Sequence, residues 1–150
     1  MPGSDETVGV AQYPVREGAF YPALVSGVDE DGNEVAGIRM PDVSVPVATH
    51  SGWNPRDPST GAPEQIVPMN GMTLYFARSV DEREVGDERP AIDERYRDRD
   101  DYREQVTRAA QALVASRYLL AEDVGVVVSA ALVRFDDAMA TDPALVINDR

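Results

Sequence analysis

His50, the one histidine of this 150-residue chain, is the side chain best suited to acid–base chemistry. The ordinary pKa of histidine lies close to neutral pH. A histidine that acts as a general base needs a carboxylate to orient its ring and a nucleophile or water within hydrogen-bonding reach. Asp42 and Asp57 are the carboxylates that a small hydrolase built on His50 would use. Because the sequence supplies no nucleophile or oxyanion site beside them, we favour a structural or pocket-lining role for His50.

Three residues that follow His50 complete the candidate surface. Trp53 is the only tryptophan, and its amphipathic ring is expected to anchor the end of a strand on apolar surface. Asn54 precedes a proline and suits a turn. Arg56 could pair with Asp57 or with a carboxylate on a partner. We therefore predict that His50, Trp53, Asn54 and Arg56 line a pocket or contact a partner.

Other catalytic and metal-binding motifs are missing from the sequence. The chain has no cysteine, which excludes disulfides, thiolate metal ligands and thiol nucleophiles, and no serine in a G-x-S-x-G frame. One histidine cannot supply a zinc site. The stretch "DEDGNE" (29–34) resembles half of a calcium loop, but its glycine is at position four and Met40 occupies position twelve. We interpret that stretch as a turn and expect no metal and no cofactor.

The charge and hydropathy of the chain restrict its surroundings. The formal net charge is −13, and all fourteen basic residues are arginines. Phosphates of nucleic acids and anionic membrane surfaces repel such a chain, so we expect neither as a partner. No apolar run approaches the ~20 residues of a membrane span, and the N-terminus has no basic stretch followed by an apolar one. These features predict a cytoplasmic protein.

The elements that must position these residues predict an α+β fold in one structural unit. Its N-terminal half has short strands, a hairpin and long ordered loops, and its C-terminal half has a helical hairpin. Residues 1–19 form an irregular lead, 20–80 hold the short strands and the Pro/Gly-rich loop, 81–140 hold charged short helices and the hairpin, and 141–150 form a tail.

The N-terminal half alternates apolar pieces with turn residues. The pieces 20–28 and 34–40 flank an Asp-Gly turn and predict a hairpin or a similar reversal. Residues 42–50 alternate, with three valines on one face, and predict a half-buried strand at an edge or bulge because Pro46 cannot donate. Residues 54–68 predict an ordered loop. The piece 69–79 is apolar, with Leu74, Tyr75 and Phe76 as its anchors.

The C-terminal half carries charge first and helical periodicity later. Residues 81–104 contain eleven acids and six arginines, a pattern typical of the solvated face of short helices with pairs such as Asp93–Arg97 and Glu104–Arg108. A helix is predicted from Asp98 or Asp100. Its apolar stripe comprises Tyr102, Val106, Ala109, Ala110 and Leu113. A second helix follows a turn at 116–123, with the stripe Val124, Val127, Val128, Ala131, Leu132 and Phe135.

Three stretches together resemble the C-terminal region of the alpha/beta hydrolase domain proteins, a group of predicted esterase-like hydrolases. The stretches are "YPALVSGVDEDGNEVAGIRMPDVSVPVATHSGWNPR" (21–56), "GDERPAIDERYRDRDDY" (86–102) and "ALVASRYLLAEDV" (112–124). The family pattern V-D-x-D-G-N-E-x-A-G-I-R is similar to 28–39, P-x-x-x-V-P-x-A-T to 41–49, and an aromatic residue or histidine before T/S-G-W-N to 50–54. The resemblance extends from about Tyr13 to Met139.

The resemblance implies hydrolase ancestry without hydrolase machinery. In the family, the nucleophilic serine and the catalytic histidine belong to an α/β core upstream of this region, and these residues have no counterpart of that core. The family pattern also implies tyrosine at the His50 position at least as often as histidine, which argues against a catalytic role there.

Three hypotheses remain. We favour a non-catalytic C-terminal segment of an alpha/beta-hydrolase-like protein that packs on a hydrolase core and lines its substrate entrance with residues 50–56. The second is a stand-alone interaction or oligomerisation module, because a piece without its core exposes apolar surface. The third is a small independent hydrolase that uses His50. The expected partners are accordingly a hydrolase core chain or further copies of this chain.

Overall fold

A computed structural model describes residues 24–61, 65–67 and 69–140, so the predicted lead (1–19) and tail (141–150) lie outside the described residues. The predicted α+β class is confirmed: one antiparallel two-stranded sheet accompanies four helices in the described part. The elements are α1 (Pro41–Ser44), β1 (Ala48–Ser51), β2 (Met72–Tyr75), α2 (Ile92–Arg95), α3 (Arg99–Ala115) and α4 (Val124–Ala140), with 3₁₀ turns at Pro58–Thr60, Val80–Glu82 and Ala121–Asp123.

The Asp-Gly stretch forms the predicted reversal. Val28 and Glu34 pair as an antiparallel bridge, and Gly32 adopts a φ of 76°, which glycine reaches without steric cost. The Asp29 carboxylate accepts hydrogen bonds from the backbone N–H groups of Asp31 (3.0 Å) and Asn33 (2.9 Å). These local bonds account for the turn.

The turn also closes one edge of the sheet, through Asn33. Its side chain is fully buried, accepts a hydrogen bond from the His50 backbone N–H (2.8 Å) and donates one to the Ala48 carbonyl (3.0 Å). One amide side chain therefore takes the place of a third strand beside β1.

Replacing Asn33 with alanine should destabilise the fold by roughly 2 kcal/mol, because two buried backbone groups of β1 lose their partner. Urea unfolding would measure the change, with Asn70→Ala, an exposed asparagine, as the matched control. Equal effects of the two substitutions would contradict this role for Asn33.

The strand prediction for residues 42–50 is wrong in its first half. Residues 41–44 form α1, because proline suits the first helical turn and the Arg39 guanidinium donates to the Val43 carbonyl (2.5 Å). Strand β1 begins only at Ala48 and pairs with β2, so that His50 lies opposite Thr73. Pro46 precedes the strand, and its carbonyl accepts a hydrogen bond from the Tyr96 hydroxyl (2.8 Å).

The helical hairpin forms as predicted. Helix α3 begins after Asp98, whose side chain accepts from the Asp101 N–H (2.8 Å) as an N-cap. The valine-rich piece that propensity alone would assign to a strand is α4, since its apolar residues recur at helical spacing. The buried residues of the two stripes are Tyr102, Val106, Ala110, Ala131 and Phe135.

The core joins this hairpin to the sheet. It consists of Val47, Phe76, Ile92, Tyr96, Tyr102, Val106, Ala131, Phe135 and Ala138. At its centre the Tyr102 ring lies 4.9 Å from that of Tyr96 and 4.8 Å from that of Phe135, measured between centroids. Of the three predicted anchors in 69–79, Phe76 is buried in the core, Tyr75 is half-buried against it, and Leu74 is exposed.

The charged segment 81–104 is largely solvated, but its apolar side chains are not equivalent. Ile92, Tyr96 and Tyr102 enter the core, whereas Val85 is fully exposed. The predicted Glu104–Arg108 pair forms at 3.8 Å, and Arg97 pairs with Asp98 at 3.2 Å instead of with Asp93. Across the described ranges, each helix is too short or too polar to cross a membrane.

Candidate functional site

His50 lies in β1 with its ring toward β2. Its Nδ1 atom is 3.2 Å from the Thr73 hydroxyl, and its backbone N–H is held by Asn33. The side chain is half-buried. The strand pair and the Asn33 amide together fix the position of the imidazole.

An open cleft of about 460 Å³ surrounds this imidazole. It is lined by Ile38, Met40, Asp42, Val43, His50, Thr73 and Arg134. Asp42 comes from α1 and Arg134 from α4, and the Asp42 Oδ1 atom accepts from both Nε (2.9 Å) and Nη2 (2.5 Å) of Arg134. A second depression of about 360 Å³ adjoins it and shares Ile38, Val43 and His50. We call the first of these the His50 cleft.

The electrostatics of the cleft favour the neutral form of the imidazole. Burial of the ring lowers the pKa of His50 below its usual value of 6.5, Asp42 acts in the opposite direction, and Arg134 lowers the pKa further. A neutral imidazole offers one hydrogen-bond donor and one acceptor to a ligand.

The titration of His50 should respond to both charges in opposite directions. Asp42→Asn should lower the pKa of His50 further, and Arg134→Gln should raise it, as measured from the imidazole proton shifts in an NMR titration. The folded chain binds this proton less readily than the unfolded chain does. The stability that neutral His50 contributes is therefore complete above the unfolded-state pKa of 6.5. It is lost as the pH falls from 6.5 toward the lower pKa of the folded state. Shifts of the same sign in both variants would contradict the assignment.

The structure separates the residues that the sequence grouped together. Asp42 lies in the His50 cleft, but Asp57 caps the 3₁₀ turn at Pro58–Thr60 by accepting from the Ser59 N–H (2.7 Å). Among the described residues Arg56 forms no ion pair, and the pair proposed with Asp57 is absent. Trp53 is 42% exposed, so the anchor predicted for it is not formed within the described part of the chain.

The loop that follows β1 is held by its backbone. The Val67 N–H donates to the Asn54 carbonyl (2.8 Å), and the Arg56 N–H donates to the Gln65 carbonyl (3.0 Å). The turn expected at Asn54 therefore belongs to a longer two-sided loop, because Pro55 and Ile66 pair as a bridge. The His50 cleft is not lined by Trp53, Asn54 or Arg56. If these residues contact a partner, they do so on a surface separate from the cleft.

The two polar residues that complete the cleft, Thr73 and Arg134, were missed from the sequence. Arg134 is the only basic residue of α4, and a lone charge within a mostly apolar helix was a usable signal. Thr73 gave no local signal, because only the register of β1 on β2 brings it to His50. Within the described ranges, no three His, Cys, Asp or Glu side chains are grouped so as to hold a metal ion.

Comparison with known proteins identifies a family. The family model described as "Alpha/beta hydrolase domain" matches residues 11–129, which include β1, β2, α3 and the residues that line the His50 cleft except Arg134. No curated protein and no solved structure matches the chain. Since the family model covers well over half of the sequence, the chain belongs to the alpha/beta hydrolase domain family.

Proposed function

We propose that this chain is the non-catalytic C-terminal segment of an alpha/beta-hydrolase-like protein, that it packs on a hydrolase core, and that its His50 cleft lines the substrate entrance. The observation that carries the proposal is an apolar strip in one short segment beside the cleft. The strip consists of Leu24, Val25, Val28, Val35 and Ile38, all more than half exposed. Apolar side chains that are exposed together in one short segment are expected to be covered by a partner.

The apolar strip and the His50 cleft meet at Ile38. This residue belongs to the strip and also lines the cleft. A hydrolase core that covers the strip would therefore border the cleft, and the cleft would open at the junction between the two parts. Binding sites are common at such junctions.

The geometry of the cleft supports a binding role. In a serine-hydrolase triad, one ring nitrogen of the histidine faces the nucleophile and the other donates to a carboxylate. Here Nδ1 faces Thr73, and within the part of the chain that the structure describes Nε2 has no hydrogen-bond partner. The carboxylate of Asp42 is engaged by Arg134. A neutral imidazole beside this ion pair can orient a polar group of a substrate.

A small independent hydrolase is the second candidate, and one contact favours it. The Thr73 hydroxyl lies 3.2 Å from His50 Nδ1, which is the spacing of a hydroxyl nucleophile and its base. This candidate requires His50 to activate Thr73 without an orienting carboxylate.

Steady-state kinetics of a chimera test the proposal. A hydrolase of the same family would carry residues 24–140 of this chain in place of its own corresponding region. His50→Ala should raise KM for an ester substrate by roughly five-fold, the effect of one lost hydrogen bond, and leave kcat within about two-fold. Asp57→Ala, outside the cleft, is the matched control. A fall of kcat to background with KM unchanged would contradict a binding role.

A further inference from the structure

Strand β2 has one edge that faces β1 and one that faces away. The Phe76 N–H donates to the Val47 carbonyl (3.0 Å), which sets the phase of the hydrogen-bonded ladder. In an antiparallel pair every second residue directs its N–H and C=O to the partner. Leu74 is two residues from Phe76, so its backbone N–H and C=O also point toward β1. The backbone N–H and C=O groups of Thr73 and Tyr75 therefore point away from β1.

The two outer edges of the sheet differ in how they are satisfied. At β1 the Asn33 amide pairs with His50 and Ala48. At β2, within the described ranges, the N–H and C=O groups of Thr73 and Tyr75 have no hydrogen-bond partner. Such a row of free donors and acceptors is a template for an added strand.

A cavity of about 280 Å³ adjoins β2, and the free edge is limited to Thr73 and Tyr75 because the Ala77 carbonyl accepts from the Ile92 N–H (2.8 Å). Five consecutive residues, 73–77, form one wall, and the loop 78–89 and Ala138 of α4 complete it. An extended peptide directs alternate side chains to opposite faces, so a strand added to β2 would place a side chain in this cavity.

The charges that line the cavity indicate the chemistry of the occupant. Arg78 is held by Glu82 through two hydrogen bonds (2.7 and 2.8 Å), and Arg89 is held by Asp87 in the same way (2.8 and 2.7 Å). In the described part of the chain, the Glu84 carboxylate has no ion-pair partner. The lining thus retains one uncompensated negative charge. The net charge of −13 on the whole chain disfavours binding of a second copy of the chain at this edge.

We propose that the free edge of β2 binds an extended, lysine- or arginine-bearing segment of another protein as a third strand. The outward backbone groups of Thr73 and Tyr75 hold the main chain of that segment, and Glu84 pairs with one of its basic side chains. This is recognition by strand addition, in which main-chain bonds give affinity and a flanking pocket gives selectivity.

Binding of designed peptides to the intact chain tests this proposal. The probe is an end-blocked nine-residue peptide of alternating valine and lysine. Its binding is measured by calorimetry and by changes in the amide shifts of residues 72–77 in NMR spectra. The same length of alternating valine and glutamate should bind more weakly by at least roughly ten-fold. Methylating the backbone nitrogens of all valines, or of all lysines, should abolish binding in one case only, because only one set of N–H groups faces β2.

Glu84→Gln should weaken binding of the valine–lysine peptide by about three-fold, the typical effect of one exposed ion pair. The matched control is Glu88→Gln, an exposed acid of the same loop outside the cavity, which should change nothing. Any of four results would overturn the proposal: no binding, equal loss with both methylated peptides, equal binding of the valine–glutamate peptide, or self-association of the chain that protects the Thr73 and Tyr75 amides.

Discussion

Replacing Tyr102 with alanine should lower the free energy of unfolding by about 4 kcal/mol, the usual cost of truncating a buried aromatic side chain. Tyr102 is 1% exposed and lies between Tyr96 and Phe135. Its ring joins α3 to α4 through the stacked contact with Phe135, so the cavity left by truncation would lie at the centre of the core. Neighbouring side chains of the core cannot fill it without leaving their own contacts.

Chemical denaturation would measure the Tyr102→Ala effect, with Tyr118→Ala as the matched control. Tyr118 is a tyrosine just beyond the end of α3 and is 61% exposed, so its truncation should change stability little. The double variant of Tyr102→Ala with Phe135→Ala should cost less than the sum of the single effects, because the two rings contact each other. A loss below about 1 kcal/mol for Tyr102→Ala would contradict the central position of the ring.

Replacing Asp31 with alanine should cost about 3 kcal/mol, because it leaves the guanidinium of Arg95 buried without its counter-charge. The two side chains are 9% and 16% exposed and form a two-bonded pair, with Arg95 Nη1 donating to Asp31 Oδ2 at 2.9 Å. The same guanidinium lies 4.4 Å from the centre of the Phe76 ring and donates from Nε to the Pro90 carbonyl (3.0 Å). The pair therefore fastens the Asp-Gly turn to α2.

A double-mutant cycle would isolate this pair. Asp31→Ala combined with Arg95→Met removes both charges, so it should cost clearly less than the two single substitutions added together. The exposed pair Arg103–Asp100 serves as the control cycle and should show no measurable coupling. Simple additivity in the Asp31–Arg95 cycle would mean that the buried pair does not hold the turn to α2.

The elements that sequence analysis predicted correctly depend on local information. Asp98 caps α3 through the N–H of Asp101, three residues on, and the apolar stripe of α4 repeats within a few residues. The Asp-Gly turn is likewise closed by bonds that span two to four residues. Such interactions can be predicted from neighbouring residues alone, without knowledge of the tertiary fold.

The mistaken strand assignment in the first half of 42–50 has a local and a tertiary cause. Its alternating valines suit a strand, but the Arg39 side chain satisfies the Val43 carbonyl and Arg134 holds Asp42 across 92 positions of the chain. The His50 cleft was equally inaccessible to local reasoning. Asp42 was proposed as a partner of His50 and does line the cleft, whereas Thr73 and Arg134 reach it only through the sheet register and the packing of α4.

Hydrolysis of p-nitrophenyl butyrate by the purified chain tests the central claim most directly, because it asks whether the His50 cleft performs chemistry by itself. Our account predicts the rate of buffer alone, and the same rate for His50→Ala and for Thr73→Val. Hydrolysis clearly above the buffer rate, lost in both variants, would contradict it and would assign the reaction to the His50–Thr73 pair.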